Sequence, residues 1–321
     1  MPPCAHPATR LEPLFPASDY ITGHPFKIAR CGACGFTITL PQPAPEQMDQ
    51  YYPAGYYGAP GGRRFPAPVE FLQRRLYAAR VSWVESAASN RQPGRVLDVG
   101  CGRGWLLKAF QDRGWQVQGT ELSDTASAYA REVLKLPVRI GSLESLNFPA
   151  ESFDAITLWH VLEHLSDPRS LIEEARRILR PGGVLMIGVP DFGGWEARWT
   201  EGKWFHLDVP RHLTHLTRPT LAKALAERGF REVAWHGFAP EYDLFSFVQS
   251  LLNRTGLRHN LLYNFLRRGR AKVLQEEGAS ASQLLATLAL AVPLTLIGIP
   301  ATCIAGLAGK GGTMTVVAVR E

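Results

Sequence analysis

The chain has 321 residues, 45% of them hydrophobic and 20% charged, with a formal net charge of +6 and a pI near 9.2. These are globular values that exclude a disordered or fibrous chain, and the length predicts one large domain with additions at its ends or inside it. Five scattered cysteines, Cys4, Cys31, Cys34, Cys101 and Cys303, argue against a disulfide framework and for a reducing cytoplasm; the opening MPPCAHPATR lacks the apolar core of a secretory signal.

Residues 1–66 are rich in Pro, Gly and Tyr and show little periodic apolar pattern, which predicts an irregular N-terminal module and linker. Within it, RCGACGF places Cys31 and Cys34 at C-x-x-C spacing, half of a tetrahedral zinc site. A redox role is disfavoured because no strand and helix of thioredoxin type frame the pair. PVEFLQRRLYAARVSWVESAA, at 68–88, has apolar residues at helical spacing and predicts an amphipathic helix.

Short apolar strands then alternate with helical segments. Strands are predicted at 95–100, 116–121, 138–142, 154–159, 184–189, 232–237 and 313–319, and helices at 103–113, 123–135, 167–179 and 218–229. Such alternation predicts an α/β fold with a mostly parallel, doubly wound sheet. RVLDVGCGRGWLL runs from a buried strand through Gly100, Gly102 and Gly104 into a helix, where the backbone can approach a ligand and unpaired N–H groups await it. Glu121 ends the next strand, where a carboxylate can accept the hydroxyls of a ribose. The spacing is G-x-G-x-G rather than G-x-G-x-x-G, and Asp98 lies inside the strand, placed to meet a ligand ammonium group.

On these residues the sequence resembles the class I S-adenosylmethionine-dependent methyltransferases over roughly residues 90–238 and the last strand, and SFDAITLWHVLEHLSDP resembles the fourth strand and following helix of the ubiquinone-pathway O-methyltransferases. The resemblance implies a seven-stranded Rossmann-like sheet whose last strand is antiparallel beside the fifth and sixth. It implies that Gly100, Cys101 and Gly102 line the methionine part of S-adenosylmethionine, with Asp98 near its amine, Glu121 on the ribose and Ser142 and Leu143 at the adenine. Many members have Asp where Ser142 stands. A bacterial subgroup with an N-terminal zinc ribbon shares the loop WFHLDVPRHLTHLT. There Cys4 matches the ribbon's first cysteine while Pro7 occupies the second, so His6 or His24 would have to complete a set with Cys31 and Cys34; the alternative is a degenerate ribbon held by packing.

Methyl transfer is an in-line displacement, and a hydroxyl acceptor also needs a base. His160, at the end of the fourth strand, is the candidate; His206 and His212 are further candidates, with Asp208 as an orienting carboxylate. His164 and His215 bring the histidines near the expected pocket to five of the chain's nine.

Residues 284–309, LLATLALAVPLTLIGIPATCIAGLAG, contain no charge, while Arg254, Arg258, Arg267, Arg268, Arg270 and Lys272 precede them with no acid between 244 and 275. Because the last strand must return to the sheet, a single crossing of a membrane is excluded. Pro293 and Pro300 predict two short helices, a re-entrant or interfacial hairpin on an anionic membrane; the alternative is a helical cap. The chain thus divides into 1–66, a methyltransferase domain of 67–238 plus 313–321, and an insertion of 239–312. It is expected to methylate a small or lipid-linked acceptor, with peripheral membrane contact through 254–309 at the inner, cytoplasmic face. An RNA methyltransferase is disfavoured because TLWHVLEH lacks the Asp/Asn-Pro-Pro-aromatic turn and the basic cluster adjoins apolar sequence. A noncatalytic scaffold that keeps the cofactor is the remaining alternative.

Overall fold

The computed structural model describes residues 6–52, 67–88, 92–275 and 278–321. Three strands open it: β1 (Leu11–Ser18), β2 (Pro25–Cys31) and β3 (Thr37–Leu40). Here the structure differs from the irregular module expected. The alternation in PFKIARC is short but real, with Phe26 and Ile28 buried and Lys27 and Arg30 turned outward, so one face packs while the other meets water. Tyr51, just beyond, packs edge-on against Phe26 and so ties the segment down.

Helix α1 (Ala67–Ala87) leads into β4 (Arg95–Val99), α2 (Trp105–Gln111), β5 (Gln116–Glu121), α3 (Asp124–Ala128), β6 (Val138–Ile140) and β7 (Phe153–Trp159). Then come α4 (Pro168–Ile178), β8 (Leu179–Pro190), α5 (Trp195–Thr200), β9 (Thr214–His215), α6 (Arg218–Ala226) and β10 (Phe230–His236). The remainder is α7 (Pro240–Arg254), α8 (Leu261–Gln275), α9 (Ala281–Leu307) and β11 (Thr313–Arg320).

Seven strands form one sheet in the order β10-β11-β8-β7-β4-β5-β6. β4 through β8 pair in parallel, and β11 inserts antiparallel between β10 and β8. The central strands are apolar on both sides because helices cover both faces. Along β8, Leu185 and Ile187 face Leu171 and Ile172 of α4 and Leu221 of α6, whereas Val184 and Met186 face Val81 and Val84 of α1 and Phe110 of α2. Each such fully buried side chain contributes about 1.5–3 kcal/mol. Helix α4 starts where the sequence dictates, with Asp167 accepting from the Arg169 N–H at 3.2 Å and Pro168 in its first turn.

A second sheet has the order β1-β2-β3-β9. Its fourth strand comes from the loop after β8, with Ile38 opposite Thr214. The N-terminal strands are therefore stitched to the loop that carries the candidate histidines, and Phe26, Ile28 and Tyr51 share a core with Trp204, Leu207 and Val209.

The insertion corrects one expectation. Residues 281–307 are one continuous helix, not two, with Pro293 and Pro300 inside it. Both prolines lie on the outward side, as do Ala289 and Leu296, whose carbonyls lose their partners. The missing bonds fall where the helix can open without disturbing its packing against α7.

Candidate active site

The carboxyl ends of β4 and β5 build a backbone cradle. Gly100, Gly102 and Gly104 all have positive φ (67°, 48° and 77°), a conformation that disfavours any side chain. Their surroundings differ. A Cβ on Gly104 would lie 2.7 Å from Leu136 and 2.8 Å from Ala130, and one on Gly100 would lie 2.8 Å from Val161; at Gly102 it would meet nothing within 4 Å. The turn is thus packed at both ends and open in the middle.

Glu121 braces that opening. Its Oε2 accepts from the Gly102 N–H at 3.0 Å and its Oε1 from the Leu122 N–H at 2.8 Å. A carboxylate has about four acceptor sites, so capacity for ligand hydroxyls remains. Asp98 lies buried beneath, accepting from the Thr157 hydroxyl at 2.6 Å. Burial pushes its carboxyl up to about 7, against the lowering effect of the Thr157 bond. The Cys101 thiol is also pushed up, by burial first and then by Asp98 and Glu121, so it is a packing group and no nucleophile.

At the edge of this cradle Ser142 accepts from the Ser145 N–H at 3.1 Å. Leu143, expected at the adenine, has its side chain 2% exposed and in the main core. The apolar side chains that do stand exposed there are Leu122 and Ile140, and the sequence reading did not single them out. An open glycine backbone, a carboxylate with spare acceptors, a buried acid and an apolar shelf fit the sugar, amine and flat ring of S-adenosylmethionine.

Beside the cradle, β7 delivers His160 with a left-handed φ of 56°. Its neighbour Val161 is the side chain packed on Gly100. His160 Nδ1 lies 2.8 Å from Glu163 Oε1. An ionised carboxylate only accepts, so Nδ1 donates to it and Nε2 is the ring nitrogen left for proton exchange. That Nε2 is buried with no hydrogen-bond partner among the described residues. Burial alone would raise Glu163, but the hydrogen bond and charge of His160, with His164 and His212 nearby, hold it down at about 2. Glu163 was the residue missed; its signal was the i, i+3 spacing in HVLE.

His206 and His212 are brought to the same cluster. The His206 ring is 6.5 Å from that of His160, and the His212 ring 4.9 Å from that of His164. Burial first, then the neighbouring histidines, holds His206 down at about 3 and His212 at about 4, so both are neutral. His212 Nδ1 faces the His206 carbonyl at 2.7 Å and His164 Nδ1 the Arg211 carbonyl at 2.9 Å. Glu163, His164 and His212 offer ligand atoms within 4.8 Å of one another. His215 is not part of this group; it meets the Thr39 hydroxyl at 2.9 Å. Among the described residues the Asp208 carboxylate makes no hydrogen bond to the ring of either histidine. It pairs with Arg211 at 2.7 Å, and Arg211, fully buried, also holds Asp19 of the N-terminal module at 2.8 Å. Tyr242 of α7, 4.7 Å from His160, closes the cluster from the insertion, where no sequence motif marked it.

In the N-terminal module His6, Cys31 and Cys34 place ligand atoms within 4.8 Å of one another, with His6 Nδ1 3.6 Å from Cys34 Sγ. Burial would raise the Cys31 thiol, but the His6 bond and the N–H groups of Cys34 and Ala33 bring it down to about 6. Cys4, named as a further ligand, lies outside the described residues.

The chain is similar in sequence to known methyltransferases. The methyltransferase-domain family model matches residues 70–234. A protein of Mycolicibacterium smegmatis named a probable S-adenosylmethionine-dependent methyltransferase is 31% identical over 172 residues, which cover 53% of this chain and 64% of that one. The ubiquinone biosynthesis O-methyltransferase of Dechloromonas aromatica is 37% identical over 115 residues, 34% of this chain and 49% of that one. The chain therefore spans less than two thirds of these relatives' length. Among solved structures, a SAM-dependent methyltransferase from Archaeoglobus fulgidus is 19% identical and covers 77% of this chain and 94% of its own, with a TM-score of 0.47. With the family model covering more than half of the sequence and the seven strands in this order, the chain belongs to the methyltransferase-domain family, of the class I S-adenosylmethionine-dependent type.

Proposed function

We propose that the protein transfers a methyl group from S-adenosylmethionine to a hydroxyl of a small or lipid-linked acceptor, in the cytoplasm at the inner face of the membrane. The observation that carries the hydroxyl is the His160–Glu163 pair beside the glycine turn. When bound, S-adenosylmethionine supplies an electrophilic methyl on a sulfonium. His160 Nε2 would take the acceptor's hydroxyl proton as its oxygen gains the methyl and the methyl–sulfur bond breaks, its electron pair leaving on sulfur as a neutral thioether; Glu163 would keep Nδ1 protonated and stabilise the imidazolium that results. His206, neutral and buried, and Tyr242 wall the cluster and exclude water. The D. aromatica relative, named an O-methyltransferase, favours the same acceptor atom.

The test is transfer of labelled methyl from S-adenosylmethionine to separated lipid and soluble extracts. An alkali-stable ether is expected; a base-labile ester or a methylamine as the product sinks the hydroxyl. His160→Ala is expected to lower turnover about 10²–10⁴-fold with cofactor binding retained. Wild-type turnover by that variant on the true acceptor ends the assignment of the base.

The same reading gives His6, Cys31 and Cys34 a structural zinc, with Cys4 as the fourth ligand. The thiol brought down to about 6 at Cys31 suits it. Metal analysis of the purified chain is expected to find stoichiometric zinc, lost in Cys31→Ser; a metal-free wild type overturns it.

A further inference from the structure

Helix α9 has no charged residue from Ala281 to Leu307, yet only 17% of its most apolar 18-residue window is buried. One side is fully used. Leu288, Ala291 and Leu294 pack with Leu244 and Phe245 of α7, and a Cβ on Gly298 would lie 3.0 Å from Leu244 and Phe247. The other side is an unbroken apolar stripe at helical spacing, Leu285, Val292, Leu296, Ile299 and Leu307, with Leu285 70%, Leu296 67% and Leu307 91% exposed. From Leu285 to Leu307 it runs about 33 Å. Thr295 and Thr302 spend their hydroxyls on the carbonyls of Ala291 and Gly298 at 2.7 and 2.8 Å, so neither calls for water.

Beside the stripe's C-terminal end, α5 exposes Trp195 and Trp199, and between these and Ile297 and Ile304 lies a groove of about 350 Å³. The three pieces are tied together: the Trp195 N–H donates to the Lys310 carbonyl at 3.0 Å, and Arg254 reaches the Trp199 carbonyl. The floor of the groove holds Glu196 and Asp243, which burial pushes up to about 7 and about 8, so it does not present two standing negative charges.

The helices beside α9 carry exposed cations. Arg254, Arg258, Arg270 and Lys272 are exposed, and Lys310 lines the groove. The described acids of α7, α8 and α9 both turn inward: Glu241 pairs with Arg80, and Asp243 is buried. We infer that the outward stripe of α9, with Trp195 and Trp199, lies in the plane of an anionic lipid bilayer, the cations meeting the headgroups. Charge decides the occupant. A second copy of the chain on a two-fold axis would set these cations against themselves with no exposed acid among the described residues of these helices to answer them, whereas anionic lipid complements them. The helix does not cross. Its inner side is held along α7, and β11 follows Leu307 after five residues to pair with β8, so both ends return to one body. Exposed tryptophans flanking an apolar stripe are what an interface favours. This inference stands on the helices alone and does not depend on the methyl acceptor.

Flotation of the full chain with phosphatidylcholine vesicles, with and without phosphatidylglycerol, tests it. The wild type is expected to float with the anionic vesicles, less with the neutral ones, and Leu296→Glu/Ile304→Glu to stay behind while still binding S-adenosylmethionine. Both side chains are exposed, so the fold tolerates the change; if the double variant fails to bind cofactor, Trp199→Ala and Arg254→Gln are expected to show graded losses. A wild type that stays behind with both vesicles overturns the inference. So does light scattering that shows a stable dimer split by the same substitutions, which would assign the stripe to a second copy.

Discussion

The cofactor cradle and the histidine cluster lie side by side, yet they are made in different ways. The cradle comes from Asp98 to Glu121, two adjacent strands and the turn between them, and its chief partners are backbone groups. The cluster is assembled from the end of β7, a loop of residues 204–215, helix α7 and, through Arg211, the N-terminal sheet. One part leans only on the strands beside it, β6 and β7; the other depends on distant segments holding a loop in place. Damage far from the chemistry should therefore leave the cradle working and disable the cluster.

The strongest test of that division is Arg211→Ala. Arg211 is fully buried and answers Asp19, Asp208 and the Tyr51 carbonyl. Its removal strands buried carboxylates and is expected to cost about 3–5 kcal/mol in chemical denaturation. If the comparison holds, the folded fraction binds S-adenosylmethionine normally by calorimetry but transfers methyl slowly. Equal loss of both functions would show that the two parts are one unit.

The division can be sharpened within the cradle. Gly104→Ala adds a left-handed side chain and a clash with Leu136 and Ala130, about 2–5 kcal/mol together, read as a lowered melting temperature. Gly102→Ala carries only the backbone cost, about 1–2 kcal/mol, because its Cβ meets open space. Its main effect is expected on cofactor affinity. Reversal of this order would mean that the open side of the turn is not where the ligand lies.

These same residues explain what the sequence disclosed. Glycines at Gly100, Gly102 and Gly104, with acids at Asp98 and Glu121, mark a site by local spacing because the site itself is local. All seven strands of the main sheet were legible for the same reason, since each is a short apolar run between turns. His160 was legible as the end of a strand, but its partner Glu163 was hidden in a helical pattern, and Tyr242 had no motif at all. Asp208 misled by proximity in sequence: nothing in the loop reveals that Arg211 points back to Asp19, 192 residues away. Pro293 and Pro300 misled by a local rule, because which side of the helix they occupy is decided by α7.

A smaller effect bears on charge. Burial raises Asp98 to about 7, so the folded chain holds that proton more tightly than the unfolded one, and ionising it costs stability as pH rises from 3.8 towards 7. A cationic ligand amine favours the ionised form, so binding is expected to release a proton below the raised value. Affinity for S-adenosylmethionine should then strengthen by up to about tenfold per pH unit as pH approaches 7 from below. Asp98→Asn should flatten that slope; a slope unchanged in the variant would assign the proton to another group.

Ser142 is where the smallest change is expected, and it tests how far the cradle depends on backbone alone. Its hydroxyl already accepts from the Ser145 N–H, so it serves the turn after β6 before any ligand arrives. Ser142→Ala forfeits that one half-exposed bond, about 0.5–1.5 kcal/mol of local stability, and leaves Glu121, Gly102 and the exposed Leu122 untouched. Cofactor affinity should change by less than about tenfold, the equivalent of such a bond. Ser142→Asp would add a carboxylate at this edge of the cradle, and tighter binding in that variant would mean that the wild-type chain leaves a polar contact to the ring unmade. No gain would mean that Leu122 and Ile140, an apolar shelf, already hold the ring without a polar partner.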